Sequence, residues 1–254
     1  MLLAIDIGNT NTVLGAFDGD QIIHSWRIKT DSRNTADELM LTFQGLLHGL
    51  TVTGIAACST VPAALRELRA MLSRYWADVP TVLVEPGIKT GVALLFDNPK
   101  EVGADRIVNT LAAFHLINGP AIVVDFGTST NFDVVSGRGE FLGGALAPGI
   151  EISLDALASR AAQLRKVELI APRSPIGKNT VEALQSGILY GFAGQVDGLV
   201  RRIAASLLPA DPGSVQVIAT GGLAPLIVPH AESLTRHEPD LTLVGLRLIY
   251  ERNT

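Results

Sequence analysis

Asp6-Ile7-Gly8-Asn9-Thr10-Asn11-Thr12 and Asp125-Phe126-Gly127-Thr128-Ser129-Thr130-Asn131 are nearly the same segment, written twice. Each follows a short apolar run, Leu2 to Ile5 and Ala121 to Val124, and each leads into another, Val13 to Phe17 and Phe132 to Val135. The pattern reads as strand, Gly/Thr-rich loop, strand, turning near Gly19 and Gly137, with an acid at the end of the first strand. Such a loop presents backbone N–H groups and hydroxyls to a phosphate, and its glycine lets the backbone approach closely. The acid can hold a cation beside that phosphate. One copy alone is equally a plain β-hairpin with a glycine turn. Two copies half a chain apart point to two half-domains holding one polyphosphate, the layout of an ATP-cleaving or phosphoryl-transferring enzyme.

Positioning these loops requires a mixed sheet in each half. The first half reads as three strands, the third over 21–28, then a helix opened by Thr35 and Glu38 in capping-box spacing. A buried strand follows at Ile55 to Cys58, then a helix with apolar residues at Val61, Leu65, Leu68, Leu72 and Tyr75. Another strand, Thr81 to Val84, ends at Pro86-Gly87. The second half has strands near residues 121 and 132 and from Glu140. A glycine-rich segment from Gly143 to Gly149 comes next. A long helix over 180–206 places Val181, Leu184, Ile188, Phe192, Leu199 and Ile203 on one face. The strand Val215 to Thr220 runs into Gly221-Gly222. The punctuation Asn118-Gly119-Pro120 divides the chain into halves 1–118 and 119–254.

Composition narrows the class. With 47% hydrophobic and 18% charged residues in 254, the chain is a folded globular protein. A net charge of -5, with basic residues only in short pairs such as Arg165-Lys166 and Arg201-Arg202, argues against nucleic-acid binding. The single cysteine, Cys58, allows no internal disulfide and reads as a small buried residue. The histidines show no metal-like spacing. Asp6 interrupts the first apolar run too early for a signal sequence, and no run is long enough to span a bilayer, so a cytoplasmic protein is expected.

A further segment, Glu101-Val102-Gly103-Ala104-Asp105-Arg106, follows Asp97-Asn98-Pro99 and opens a helix through Ile107 and Leu111. On spacing alone, Asp105-Arg106 reads first as a surface ion pair at a helix start and only second as a proton acceptor beside a carboxylate-binding Arg. Gly177-Lys178-Asn179-Thr180 lacks the earlier glycine of a P-loop, since Pro172 stands there. Thr180 could simply cap the helix that follows.

Taken together these segments resemble the type III pantothenate kinases, within the actin, hexokinase and Hsp70 superfamily, over essentially the whole chain. The resemblance is carried by Asp6 to Thr12, by Gly103-Ala104-Asp105-Arg106 in its Asn-Pro-x-Glu-Val setting, by Asp125 to Thr130, and by Thr220-Gly221-Gly222. Lesser matches are Gly177 to Thr180 and Leu142 to Gly149. It implies an α/β fold of two similar ribonuclease-H-like, actin-type domains with ATP between them, and transfer of the γ-phosphoryl group to pantothenate. It further implies that Asp6, Ile7, Gly8, Asn9, Thr10, Asn11, Thr12, Val13, Thr128, Gly221 and Gly222 serve ATP. Asp6 would hold Mg²⁺ directly or through water, and Asp125 a monovalent cation, K⁺ or NH₄⁺. Asp105 would be the catalytic base. Phe96, Gly103, Ala104, Arg106 and Thr180 would line the pantothenate site, with Thr180 reaching across a homodimer. Phe96 departs from the tyrosine common at this place, losing a hydroxyl. The alternatives are another small-metabolite kinase of the superfamily, or a nucleotide-binding regulator without turnover.

Overall fold

The computed structural model describes residues 1–160 and 167–254. The basic pair Arg165-Lys166 lies outside the described residues. The chain forms two compact units, the first made of residues 1–92, 98–112 and 241–254, the second of 93–97 and 113–240.

In the first unit, β1 (Leu2–Ile7), β2 (Asn11–Asp18), β3 (Gln21–Lys29), β4 (Gly54–Ser59) and β5 (Thr81–Leu83) form one sheet in the order β3-β2-β1-β4-β5. The first three strands are antiparallel hairpins, and β1, β4 and β5 run parallel. Helices cover both faces, which is why Leu2 to Ile5 is apolar throughout instead of alternating. On one face Leu3, Ile5 and Ile7 pack with Phe43 of α1 (Ala36–Leu46) and with Leu68 and Met71 of α2 (Pro62–Tyr75). The expected capping box forms: Thr35 Oγ1 accepts from the Glu38 N–H, and Glu38 Oε2 accepts from the Thr35 N–H at 2.8 Å. On the other face Ala4, Ala56 and Cys58 meet Val108 of α3 (Ala104–Ile117) and Leu246 of α7 (Leu241–Asn253). Gly245 makes this layer possible, because a Cβ there would lie 2.3 Å from the Val108 carbonyl oxygen. The C-terminal helix α7 thus belongs to the unit containing the N-terminus, packed on β1 and β4.

The second unit repeats the plan. Its sheet, read from the hairpin edge, is β8 (Phe141–Pro148), β7 (Ser129–Val135), β6 (Ala121–Phe126), β9 (Gln216–Thr220) and β10 (Arg236–His237). Again three antiparallel strands join two parallel ones. α4 (Ile150–Arg160), α5 (Thr180–Leu207) and the short α6 (Ala224–Ile227) complete it. Ile122, Val124 and Phe132 form its core with Leu189, Val196 and Val200 of α5.

One expectation changes here, and α5 adds a detail. The glycine-rich stretch from Gly143 is not a loop after a strand but the strand β8 itself. A Cβ on Gly144 would lie 1.6 Å from the Phe132 carbonyl oxygen, so glycine is needed for β8 to lie this close to β7. On α5 the buried residues are Gln185, Leu189, Ala193, Val196, Val200 and Ala204, and of the row from Val181 to Ile203 the residues Ile188, Phe192, Leu199 and Ile203 pack part-buried against the same core. The smaller side chains let the helix sit close to the sheet, and Val181 remains 48% exposed.

Candidate active site

The predicted residues gather into two groups, one in each unit. In the first, β1 carries Asp6 at its end and the loop 8–10 turns into β2. The Gly8 N–H donates to the Asn11 carbonyl at 3.0 Å, and a Cβ on Gly8 would stand 3.2 Å from that oxygen, so the turn is tight. Asn9 and Thr10 are exposed at its tip. The Thr30 N–H donates to the Thr10 carbonyl at 3.0 Å, and the Thr12 and Thr30 hydroxyls hydrogen-bond at 2.9 Å. The buried Thr12 hydroxyl therefore fastens the loop to the end of β3, while Val13 is half-buried beside it.

Asp105 sits in the first turn of α3. Its Oδ1 accepts from the Arg106 N–H at 2.9 Å, and a Cβ on Gly103 would lie 2.5 Å from the same oxygen. Glycine at 103 is thus what lets the Asp105 carboxylate fold over the helix start, and Ala104 carries the chain between them. The Gly103 carbonyl accepts from the Arg106 and Ile107 N–H groups, which opens the helix.

Asp6 and Asp105 influence each other. Burial, then the negative charge of Asp105, raises Asp6 from the ordinary carboxylate value to about 7; the Cys58 hydrogen bond and the Arg27 charge oppose the rise. Asp6 keeps partial contact with solvent at the residue level, but its carboxyl oxygens are enclosed. Burial also raises Asp105, against the pull of the Arg106 amide and guanidinium. Two acids pushed towards neutrality in this way form a place that favours a cation or the uptake of a proton. Cys58 is buried as expected, but it is not a spectator. Its Sγ donates to Asp6 Oδ1 at 3.3 Å from the adjacent strand. Only the β1–β4 register reveals that contact.

The second group surrounds Asp125 at the end of β6. The Gly127 N–H donates to the Ser129 carbonyl at 3.0 Å, and the Gly149 N–H donates to the Thr128 carbonyl at 3.1 Å. A Cβ on Gly149 would lie 2.2 Å from the Thr128 oxygen. At the end of β9, Gly221 has a φ of 90°, and a Cβ there would meet Asp125 Oδ1 at 2.5 Å and the Phe126 carbonyl oxygen at 2.6 Å. Gly221 thus lies in close contact with both oxygens, leaving no room for a side chain, and Gly222 follows in the same turn. Phe96 packs on Phe141 with ring centroids 5.9 Å apart and against Gly143.

Thr180 is the exposed first residue of α5 and does not cap it. Asn179 does, its Oδ1 accepting from the Glu182 N–H at 2.9 Å. The Lys178 N–H is engaged by Glu182 Oε2 at 3.0 Å, an amide that a phosphate loop would leave open. For Mg²⁺ the fit is simple. Among the described residues no cluster of three His, Cys, Asp or Glu could hold a metal, so Asp6 would supply one carboxylate and phosphate and water the rest. Among the described residues no helix is long and apolar enough to cross a membrane.

Solved structures of the same fold include the activator of 2-hydroxyisocaproyl-CoA dehydratase from Clostridium difficile. Its TM-score is 0.56 at 14% identity, covering 98% of this chain and 93% of that one. The inorganic polyphosphate/ATP-glucomannokinase from Arthrobacter gives 0.53 at 14%, covering 100% and 99%. At such identities they establish the fold alone, two ribonuclease-H-like domains. Sequence goes further. Type III pantothenate kinases from Frankia alni and Salinispora arenicola are 69% and 67% identical, each comparison covering 100% of both chains. The type III pantothenate kinase family model matches residues 2–202. With the paired Asp loops and the Gly103–Arg106 turn in place, the chain belongs to the type III pantothenate kinase family.

Proposed function

We propose that this protein transfers the γ-phosphoryl group of ATP to the primary hydroxyl of pantothenate, the first step of coenzyme A synthesis. The observation that carries the reading is Asp105, folded over the Gly103 turn at a helix start and electrostatically coupled to Asp6 at the end of the first phosphate loop. Asp105 accepts the hydroxyl proton as the oxygen attacks the γ-phosphorus. The bond from that phosphorus to the bridging oxygen breaks, and ADP leaves. Burial raises the basicity of Asp105, which suits proton transfer near neutral pH. Phosphoryl transfer asks the protein mainly to position groups and neutralise charge.

The backbone of Gly8 to Thr12, with Ile7 and Val13 flanking it, serves the ATP phosphates, as does Thr128, and Gly221-Gly222 receives the adenosine. Arg106 pairs with the pantothenate carboxylate, while Gly103, Ala104 and the Phe96 ring shape its pocket. Mg²⁺ bound at Asp6 supplies charge neutralisation at the phosphates. A monovalent cation, K⁺ or NH₄⁺, would be held by Asp125 and would add positive charge beside the phosphates. We place the protein in the cytoplasm as a homodimer. Its interface uses the α5 row that its own unit leaves part-exposed, where Gly187, Gly191 and Gly194 open onto free space. Thr180 then reaches the partner's pantothenate.

Incubating the protein with ATP and a panel of pantothenate, pantetheine, acetate and sugars tests the assignment. Phosphorylation of pantothenate alone, or well above the rest, is expected. Preference for another acceptor would make it a different small-metabolite kinase, and ATP binding with no transfer would make it a regulator. Heterodimers of Asp105→Asn and Thr180→Ala chains test the shared site: one intact site should form, and activity should partly return. No recovery would mean that each subunit builds its site alone.

A further inference from the structure

The pairing register of the first sheet sets four residues in one row. Arg27 on β3 is opposite Val13 on β2, Val13 is opposite Asp6 on β1, and Asp6 is opposite Cys58 on β4. Residues paired in this way project from the same face of a sheet. The row runs from buried Cys58, through part-buried Asp6 and Val13, to exposed Arg27. Arg27 forms no ion pair or hydrogen bond with any described residue, yet its charge acts on Asp6. Thr30, three residues on, is fastened to the phosphate loop through the Thr10 carbonyl and the Thr12 hydroxyl. Arg27 therefore stands on a strand tied to that loop, on the face of its acid.

This placement calls for an anion. In this neighbourhood Asp6 and Asp105 already carry two carboxyl groups, and bringing up phosphate adds more negative charge. Arg27 is the residue in the row that offsets it. A guanidinium is permanently charged and presents a planar set of donors matched to phosphate oxygens, which a lysine does not reproduce.

We propose that Arg27 is a catalytic residue. In this inference, which rests on the kinase reading above, its guanidinium contacts the non-bridging oxygens of the γ-phosphoryl group and stabilises their charge as the group moves from ADP to the acceptor hydroxyl. The acceptor proton still goes to Asp105, so Arg27 neither gains nor loses a proton.

The test compares Arg27→Gln and Arg27→Lys with the wild-type protein, measuring turnover, the KM for pantothenate, and ATP and ADP affinity by calorimetry. Thermal melts confirm the fold. Turnover should fall by about 10²–10³-fold in Arg27→Gln, in the range of lost transition-state donors. Arg27→Lys should fall by a smaller factor. The preference for ATP over ADP should shrink by roughly tenfold, the loss expected for a contact worth about 1.4 kcal/mol, and the pantothenate KM should stay within about twofold. Unchanged turnover with an unchanged ATP-to-ADP ratio overturns the proposal. So does a raised pantothenate KM with turnover intact, which would place Arg27 on the acceptor. If Arg27→Gln does not fold, Arg27→Lys is judged by the same criteria. Failure of the kinase reading is visible separately: wild-type protein would then not phosphorylate pantothenate, while the ATP-to-ADP ratios still report whether Arg27 meets the terminal phosphate.

Discussion

Asp6 and Asp125 occupy equivalent places in two sheets of identical strand plan, and their surroundings differ. Asp6 pairs with Val13 and Asp125 with Asn131, so the first hairpin loop is one residue longer. On the neighbouring parallel strand Asp6 faces Cys58, whereas Asp125 faces Thr220, followed by Gly221. The first acid is set beside a second carboxyl and a thiol donor and driven to about 7. The second is packed closely against the Gly221 turn, where an added Cβ would stand 2.5 Å from its Oδ1. One supersecondary plan thus yields two environments, an acid beside a second carboxyl and a thiol in the first unit and an acid packed against a glycine turn in the second. The loop residues alone do not make this division. The residues brought alongside by the parallel strands do.

The largest effect of substituting either acid is expected at Asp6. Asp6→Asn removes the carboxylate that would meet Mg²⁺, and turnover should fall by roughly three orders of magnitude with a weakened Mg²⁺ response. A titration of rate against Mg²⁺ that matches wild type would remove Asp6 from this role. Next is the cation. In sodium-only buffer activity should collapse and return on adding K⁺ or NH₄⁺, and Asp125→Asn should flatten that dependence. Equal rates in both buffers contradict the second-unit assignment.

Packing gives a smaller but sharp contrast within the second unit. Gly149→Ala puts a methyl against the Thr128 carbonyl and should cost about 1–3 kcal/mol in a denaturation experiment. Gly198→Ala on α5 meets only the flexible Arg202 side chain at 3.5 Å and should stabilise by about 0.5–1 kcal/mol. Equal effects would show that the tightness at the second loop is not needed for folding.

The smallest expected effect is on stability against pH. The folded state holds the Asp6 proton more tightly than the unfolded chain, whose value is about 3.9. Its contribution to stability is therefore present below pH 4 and lost as pH rises through about 7. Substrate-free protein should melt at lower temperature at pH 8 than at pH 6, and Asp6→Asn should lessen that difference. An unchanged slope in the variant would place the origin elsewhere.

Much of this was legible in the chain because it is local. The Asp-x-Gly-x-Thr spacing, the Thr35–Glu38 cap and the Gly103–Arg106 turn are written within a few residues each. Cys58 and Arg27 were not, since their place beside Asp6 depends on strand register across the sheet. The helical period of α5 was legible, but Leu184, Ile188 and Phe192 and the stripe Leu189, Ala193 and Val196 are both apolar at that period, so periodicity alone does not say which is buried deepest. Nor does any local signal send the last helix, α7, back to the first sheet.

The claim on which the account turns is that the first unit performs the chemistry through Asp105. The most direct measurement is turnover of Asp105→Asn with ATP and pantothenate, alongside its calorimetric ATP affinity. Turnover should fall by about 10²–10⁴-fold, the range for a lost general base, with ATP affinity close to wild type. Near-normal turnover in this variant would contradict that claim.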